Sequence, residues 1–565
     1  MTQAQIGLTL ASCVAFMALV AWWSFRQAAG ETGTKDGYFL AGRNLSGLFI
    51  AGSLLLTNLS AEQLIGLNGS AYGFNMSSMA WEVTAAAATI AMALIFLPRY
   101  LMSAFTTLPE FLNDRFDQDV RRLSVILFML GYGLVTIPSV LYSGSIAVIR
   151  LFDIPNLFGV SQFEALVITV LTIGIAGSLY AVFGGLKAVA VSDTLNGLGL
   201  LIVGITAPVL GLIVLGNGSF LAGLSTLVQT HPEKLNAIGS TNDPIPFGTI
   251  FTGMIFANLF YWCTNQYVIQ RTLAARNLAE GQKGVLLSGF FKILVPMFMM
   301  IPGIIAFHLY GPGLTSIDEA YPALIRDVFP IWMMGFFLAV LFGAVFSSFN
   351  SLLNSAATMF TLDIYAPSRR TPLSDKQAVR IAMLASVVIA LFSFVVAPLL
   401  WFAPEGLWQI IRIFTGFYNI PIVAIVIVGL FARRAPALGA KIVIGFHVIA
   451  YGLLKFVLAD LVTLHFLHLY AILFVIEVGI MLLIGRLAPR PTAWAMPNAA
   501  KVDLTPWRFA RPVAFSLMSC VVGLYLVFSP LGFANGEIGI GFAAAIIALL
   551  VANIWYWTQE MREQT

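Results

Sequence analysis

Two stretches of the chain place oxygen donors inside long apolar runs. In Gly52-Ser53-Leu54-Leu55-Leu56-Thr57-Asn58-Leu59-Ser60-Ala61-Glu62-Gln63-Leu64-Ile65-Gly66 a helical apolar run gives way midway to Asn-Leu-Ser-Ala-Glu-Gln. Unwinding there frees backbone carbonyls. In hydrocarbon each unsatisfied backbone group costs several kcal/mol, so such a break persists only where it lines a polar cavity. Farther along, in GAVFSSFNSLLNS, Ala344, Ser347 and Ser348 are spaced i, i+3, i+4 and share one helix face. Freed carbonyls opposite two hydroxyls make the hard oxygen set that a sodium ion takes. Each stretch alone has a plainer reading: a polar patch packing on neighbouring helices, or serines bonding their own i−4 carbonyls. The pair carries the argument.

Other polar groups also fall within apolar runs. Glu62, Glu82, Asp193, Lys292, Arg412, Lys455 and Glu477 are ionisable, and each is costly in a membrane unless paired or wet. Lys455 lies near a helix end and is expected to snorkel, whereas Glu477 has no evident partner and is the seed for a proton-coupled alternative. Asn258 and Tyr261 share a face at i, i+3, with Trp262 beside them. An amide, a phenol and an aromatic plane suit a polyhydroxylated ligand, although a lone Asn and Tyr are more often packing residues.

The elements that position these groups follow from composition. Of 565 residues, 59% are hydrophobic and 10% charged, with mean hydropathy +0.90; soluble chains carry about 25% charged residues. Apolar stretches of about 20 residues span a bilayer, and fifteen candidates are expected. They are 6–25 (an extra N-terminal helix within 1–30), five over 46–216, five over 246–431 and four peripheral helices over 437–557. With the N-terminus outside, 24 of the 30 basic residues fall on the cytosolic side, Arg271, Arg276 and Lys283 among them. The C-terminus is then inside. An odd number of spans per half inverts the second half relative to the first, the layout of inverted-repeat transporters with midplane sites beside a broken helix. The three cysteines are scattered and the only close histidines, His465 and His468, fit a helix end, so neither a disulfide framework nor a metal cluster is expected. The net charge of +4 is not gathered on a soluble surface, which argues against nucleic acid. No nucleophile has a base at motif spacing, so no enzyme is expected.

Six polar motifs carry a resemblance. GYFLAGRNLSG (37–47), SLLLTNLSAEQLIGLNGSAYG (53–73), YAVFGGLKAVAVSD (180–193), NLFYWCTNQYVIQRTLAAR (258–276), AYPALI (320–325) and SSFNSLLNSAATMFTLDIY (347–365) occur in this order. Together they resemble the sodium/solute symporter family over roughly 37–460, in its sodium/glucose and sodium/galactose branch, as a bacterial inner-membrane member. The resemblance implies an all-α, LeuT-like core of two inverted five-helix repeats and sodium-driven import of a sugar by alternating access. It implies that the carbonyls of Leu56, Leu59 and Ala344 and the hydroxyls of Ser347 and Ser348 hold one sodium ion, with Asp193 nearby on its path. It places Gln63, Glu82, Asn258 and Lys292 at the sugar as hydrogen-bonding groups, with Trp81, Tyr261 and Trp262 as stacking or gating surfaces. Arg412 stands where the family has glutamine, in IIR-I-F-TG. It is expected either to neutralise Glu82 or to bind a carboxylate or sulfate on an acidic or modified sugar. A carboxylate or other non-sugar solute on the same fold is the alternative.

Overall fold

A computed structural model describes residues 3–28, 34–152, 154–314, 317–402, 407–536 and 539–563. Among them the only extended pairing consists of two isolated bridges, Leu45 with Ala275 and Asn277 with Asp503. The rest is helix and connection. The side chains of Glu62 and Arg412, both of interest above, lie outside the described residues.

Among the described residues, thirteen helices are long and apolar enough to cross a membrane. A fourteenth span is a bent pair, Gly47–Asn58 and Gln63–Gly73, which meet at 58°. The fifteenth expected span, 246–269, is not one helix. It is assembled from Phe247–Phe251, Gly253–Leu259, a wider π turn Phe260–Thr264, and Gln266–Leu273 after an extended Asn265 (φ −78°, ψ 120°). The polar triplet Thr264-Asn265-Gln266 marks the break, and each of its side chains has a hydrogen-bond partner. Thr264 Oγ1 donates to the Phe260 carbonyl at 2.9 Å, the Tyr132 hydroxyl bonds Asn265, and Gln266 accepts from Leu108 N–H at 2.8 Å.

Gln162–Leu215 is helical throughout, yet it cannot be straight. A Cβ on Gly177 would sit 3.1 Å from Phe346, while Asp193 lies beside Ser347. Sixteen residues of straight helix cover about 24 Å, whereas Phe346 and Ser347 are adjacent. The chain therefore doubles back between the membrane-length stretches Gln162–Leu179 and Leu186–Leu215. That reversal sets the second stretch, with Asp193, against both the broken helix and the serine helix Ile331–Met359. Close approach is made by glycine: a Cβ on Gly52 would meet Thr194 at 2.7 Å, and one on Gly343 would meet Asn196 at 2.5 Å.

Helix starts follow local chemistry. Ser161 with Glu164 and Ser374 with Gln377 form capping boxes, and His465 caps Phe466–Leu487 while His468 bonds Thr252 Oγ1 at 2.9 Å. The last helix, Ile540–Glu563, buries none of its residues. It is joined to Ala510–Val527 by a polar seam in which Trp557 Nε1 donates to Ser516 at 2.8 Å and Asn553 Nδ2 to Ser519 at 3.2 Å.

Candidate functional site

The first helix break sorts its backbone groups in a way that leaves carbonyls over. Leu59 (φ −83°, ψ 87°) still sends its N–H to Leu55 at 2.8 Å, but the Ser60 N–H turns to Asn58 O at 3.1 Å. The Gln63 N–H bonds the Ser60 hydroxyl at 3.4 Å. In an unbroken helix those two donors would serve the carbonyls of Leu56 and Leu59. Both carbonyls have thus lost their helical partners, the cost that a cation or water must offset.

Opposite stands the serine helix. Thr57 Oγ1 and Ser351 Oγ lie 3.2 Å apart, and Ser351 is one turn beyond Ser347 and Ser348, so the break faces the side of the helix that carries them. Ala344, Ser347 and Ser348 are all buried. The Ser348 hydroxyl has no hydrogen-bond partner, and that of Ser347 lies beside the Asp193 carboxylate but out of hydrogen-bond geometry. Buried hydroxyls without partners are uncommon, and two on one turn make a polar concavity of the kind a small cation fills.

Asp193 closes this concavity. Its Oδ2 accepts from Ser53 Oγ at 2.7 Å and lies 4.0 Å from an Arg271 nitrogen. Arg271 also donates from Nε to Ser53 Oγ at 3.1 Å, to the Tyr267 carbonyl at 2.5 Å, and to Ser351 Oγ. The assignment of Arg271 to a cytosolic loop is therefore corrected: the guanidinium is fully buried. Its helix re-forms after Asn265 and carries it into the core, where Asp193 compensates its charge. One cation thereby ties both broken helices to the serine helix.

Between the two breaks lies a cavity of about 190 Å³. Gln63, Trp81, Glu82, Asn258, Tyr261, Trp262 and Lys292 line it together with Ser348, so the residues expected at substrate share one space with a residue expected at the ion. Glu82 and Lys292 are buried and paired. Glu82 also accepts from Gln63 Nε2 at 3.1 Å, and Lys292 also donates to Asn58 Oδ1. Asn258 donates to Thr84 Oγ1 at 2.9 Å, and Trp81 stacks on Phe466 at 6.5 Å. The lysine stands 5.9 Å from the Trp262 ring centre. The neutralising partner of Glu82 among the described residues is thus Lys292, from a helix 210 positions away in sequence.

Sequence reasoning missed three contributors to the cavity. Tyr418 and Asn419 line it, from the helix Leu407–Phe431 that also carries Arg412. Asn265, the second break, lines it too. The oxygens Gln63 Oε1 and Asn419 Oδ1 are buried without partners, which leaves two acceptors for donors on a bound solute. A polar residue two or three positions past Thr415-Gly416 was the available signal for Asn419.

Glu477 does have a partner. Its Oε1 lies 2.5 Å from His447 Nδ1, and His447 Nε2 bonds the Gly416 carbonyl at 2.9 Å, all buried. This clamp joins two peripheral helices to the helix of Tyr418 and Asn419. Because an amide also donates to an imidazole nitrogen, Glu477→Gln should leave sodium-driven uptake unchanged, as measured in proteoliposomes without a pH gradient. Loss of uptake in that variant, with the protein folded, would assign the carboxyl a proton-carrying role.

Two interrupted helices around one cavity, in a bundle of this size, define a LeuT-like transporter. The architecture matches a solved structure of a Na⁺-coupled sialic acid symporter in a substrate-bound outward-open state with TM-score 0.74, at 21% identity, over 85% of this chain and 98% of that one. The profile of the Sodium:solute symporter family matches residues 38–445, and the chain belongs to that family. It is 44% identical to the uncharacterized symporter YidK of Escherichia coli (strain K12) over 97% of this chain and 95% of that one. It is 30% identical to the sodium/glucose cotransporter of Vibrio parahaemolyticus over 77% of this chain and 82% of that one. The chain is thus a multi-pass membrane protein whose family and fold are those of sodium-coupled transporters rather than enzymes.

Proposed function

We propose that this chain imports a sugar across the bacterial inner membrane, coupled to one sodium ion, by alternating access. The ion is held by the carbonyls of Leu56, Leu59 and Ala344 and the hydroxyls of Ser347 and Ser348, with Asp193 on its path. Gln63, Glu82, Asn258 and Lys292 hydrogen-bond the solute; Trp81, Tyr261 and Trp262 stack on it or gate it. The repeats are 46–216 and 246–431, with 1–30 and 437–557 peripheral, the N-terminus outside and the C-terminus inside. In support, each proposed repeat opens with an interrupted helix, and the two interruptions flank one cavity. That is where helix-break sites of inverted-repeat transporters lie.

The observation that carries the reading is the adjacency of unpartnered oxygens of two kinds. Ser348 Oγ is orphaned at the ion side and Gln63 Oε1 and Asn419 Oδ1 at the solute side of one cavity. Sodium bridging the break to the serine helix stabilises the form that exposes the solute acceptors, so occupancy of one site favours the other. A solute that leaves Glu82 or Lys292 unmatched forfeits about 1–3 kcal/mol per group, which is how the pocket discriminates. One charge moving through about 100 mV releases about 2.3 kcal/mol, roughly fortyfold accumulation before the sodium gradient is added.

Proteoliposomes given a radiolabelled panel of neutral and acidic sugars, with sodium or choline outside, test this. Sodium-dependent uptake of at least one sugar is expected, and none for any sugar would contradict it. A second reading, transport of an anionic sugar or a carboxylate, is favoured by the arginine at position 412, since a guanidinium matches carboxylate oxygens two at a time. Arg412→Gln should then shift preference from anionic to neutral solutes in the same panel. An unchanged profile would mean that Arg412 serves the protein and not the solute.

A further inference from the structure

A second cavity, of about 1150 Å³, lies where five spans end at one level. The ends are those of Met76–Ser103, Phe414–Phe431 and Ile540–Glu563 and the starts of Leu278–Tyr310 and Ala510–Val527. Core helices, the connection that holds Trp494 and Trp507, and the last two helices all contribute to its walls. We propose that this cavity binds the headgroup of an anionic phospholipid, with the start of its acyl chains against the apolar wall.

Charge selects the occupant. Arg99, Arg433, Arg508 and Arg511 line the cavity against Glu560 and Glu563, an excess of two positive charges. Among the described residues, Arg99, Arg433 and Arg511 enter no ion pair with a carboxylate. Glu560 is engaged by the Tyr556 hydroxyl at 2.9 Å. Arg99 is braced, its NH1 donating to the Ile95 carbonyl at 2.6 Å and its guanidinium lying 5.4 Å from the Phe431 ring centre. Guanidinium groups match phosphate oxygens two at a time, and basic pockets between span ends are where anionic headgroups bind.

The wall selects lipid over a free anion. Leu94, Met102, Leu430, Phe431 and Met496 supply apolar lining, and Trp494 and Trp507 line it beside the span ends, the region of a membrane protein in which indoles are enriched. The outer wall belongs to Ile540–Glu563, which buries no residue of its own. The groove opens at the span ends, where the molecule at hand is phospholipid. The lipid would then add a contact between the last helix and the core.

The test uses the full chain in detergent, with phosphatidylglycerol, phosphatidylcholine and inorganic phosphate as probes. Phosphatidylglycerol should raise the thermal unfolding midpoint saturably, and the other two should not. Arg433→Gln/Arg511→Gln should bind it roughly thirtyfold more weakly, two charges at about 1 kcal/mol each, and Arg433→Lys/Arg511→Lys should retain most of the affinity. Independently of any variant, native mass spectrometry of the wild-type chain should retain phosphatidylglycerol over phosphatidylcholine from an equal mixture. Equal retention, stabilisation by phosphate alone, or full affinity in a folded glutamine variant would overturn the proposal. None of these readouts depends on transport.

Discussion

Ser348→Ala lowers the apparent affinity for sodium in uptake assays by roughly ten- to hundredfold, since a dipole held against a charge contributes about 1.5–3 kcal/mol. The expectation follows from burial. The Ser348 hydroxyl has no protein partner, so removing it breaks no internal hydrogen bond and leaves no donor stranded. Expression and thermal stability in choline should therefore match the wild-type chain, while activation by sodium shifts to higher concentration. A variant with lower stability in choline would instead assign the hydroxyl a packing role. Unchanged sodium activation would place the ion elsewhere.

Lys292→Met removes the charge that compensates Glu82 and leaves a carboxylate buried among Trp262, Asn58 and Gln63. Breaking a buried pair by deleting one partner costs about 3–5 kcal/mol, a large part of what holds a domain folded. The variant is expected to lose uptake and most of its folded yield in size-exclusion chromatography. Because replacing both members of a buried pair removes the stranded charge, Glu82→Gln/Lys292→Met should recover folded yield without recovering uptake. Recovery of uptake in the double variant would show the pair to be structural scaffolding with no part in binding. No recovery of yield would mean that the two groups do not compensate one another.

The sequence made legible those parts of the candidate site in which a polar residue interrupts an apolar run. Asn58 to Gln63, the serines at helical spacing, Asp193, Glu82 and Lys292 all stand out because lipid tolerates them poorly. What it could not convey was partnership. Glu82 and Lys292 come from separate helices, as do Asp193 and Arg271, and periodicity reports the face of a helix but not the neighbour across from it. Arg271 illustrates the consequence, since its place in a basic stretch suggested cytosol when its partner was a buried aspartate. The second break at Asn265 was hidden because Phe260-Tyr261-Trp262-Cys263 reads as continuous apolar span, and only the Thr-Asn-Gln triplet after it betrays unwound backbone. The reversal near residues 180–185 was legible as a gap between two spans, although the backbone there stays helical.

In the proposed mechanism a cation joins the broken helix to the serine helix, and direct binding of radiolabelled sodium to the purified chain tests this most closely. One saturable equivalent per chain is expected for the wild-type protein, abolished in Ser347→Ala/Ser348→Ala while both proteins remain folded. Saturable binding that survives in the double variant, or no saturable binding to the wild-type chain, would contradict it.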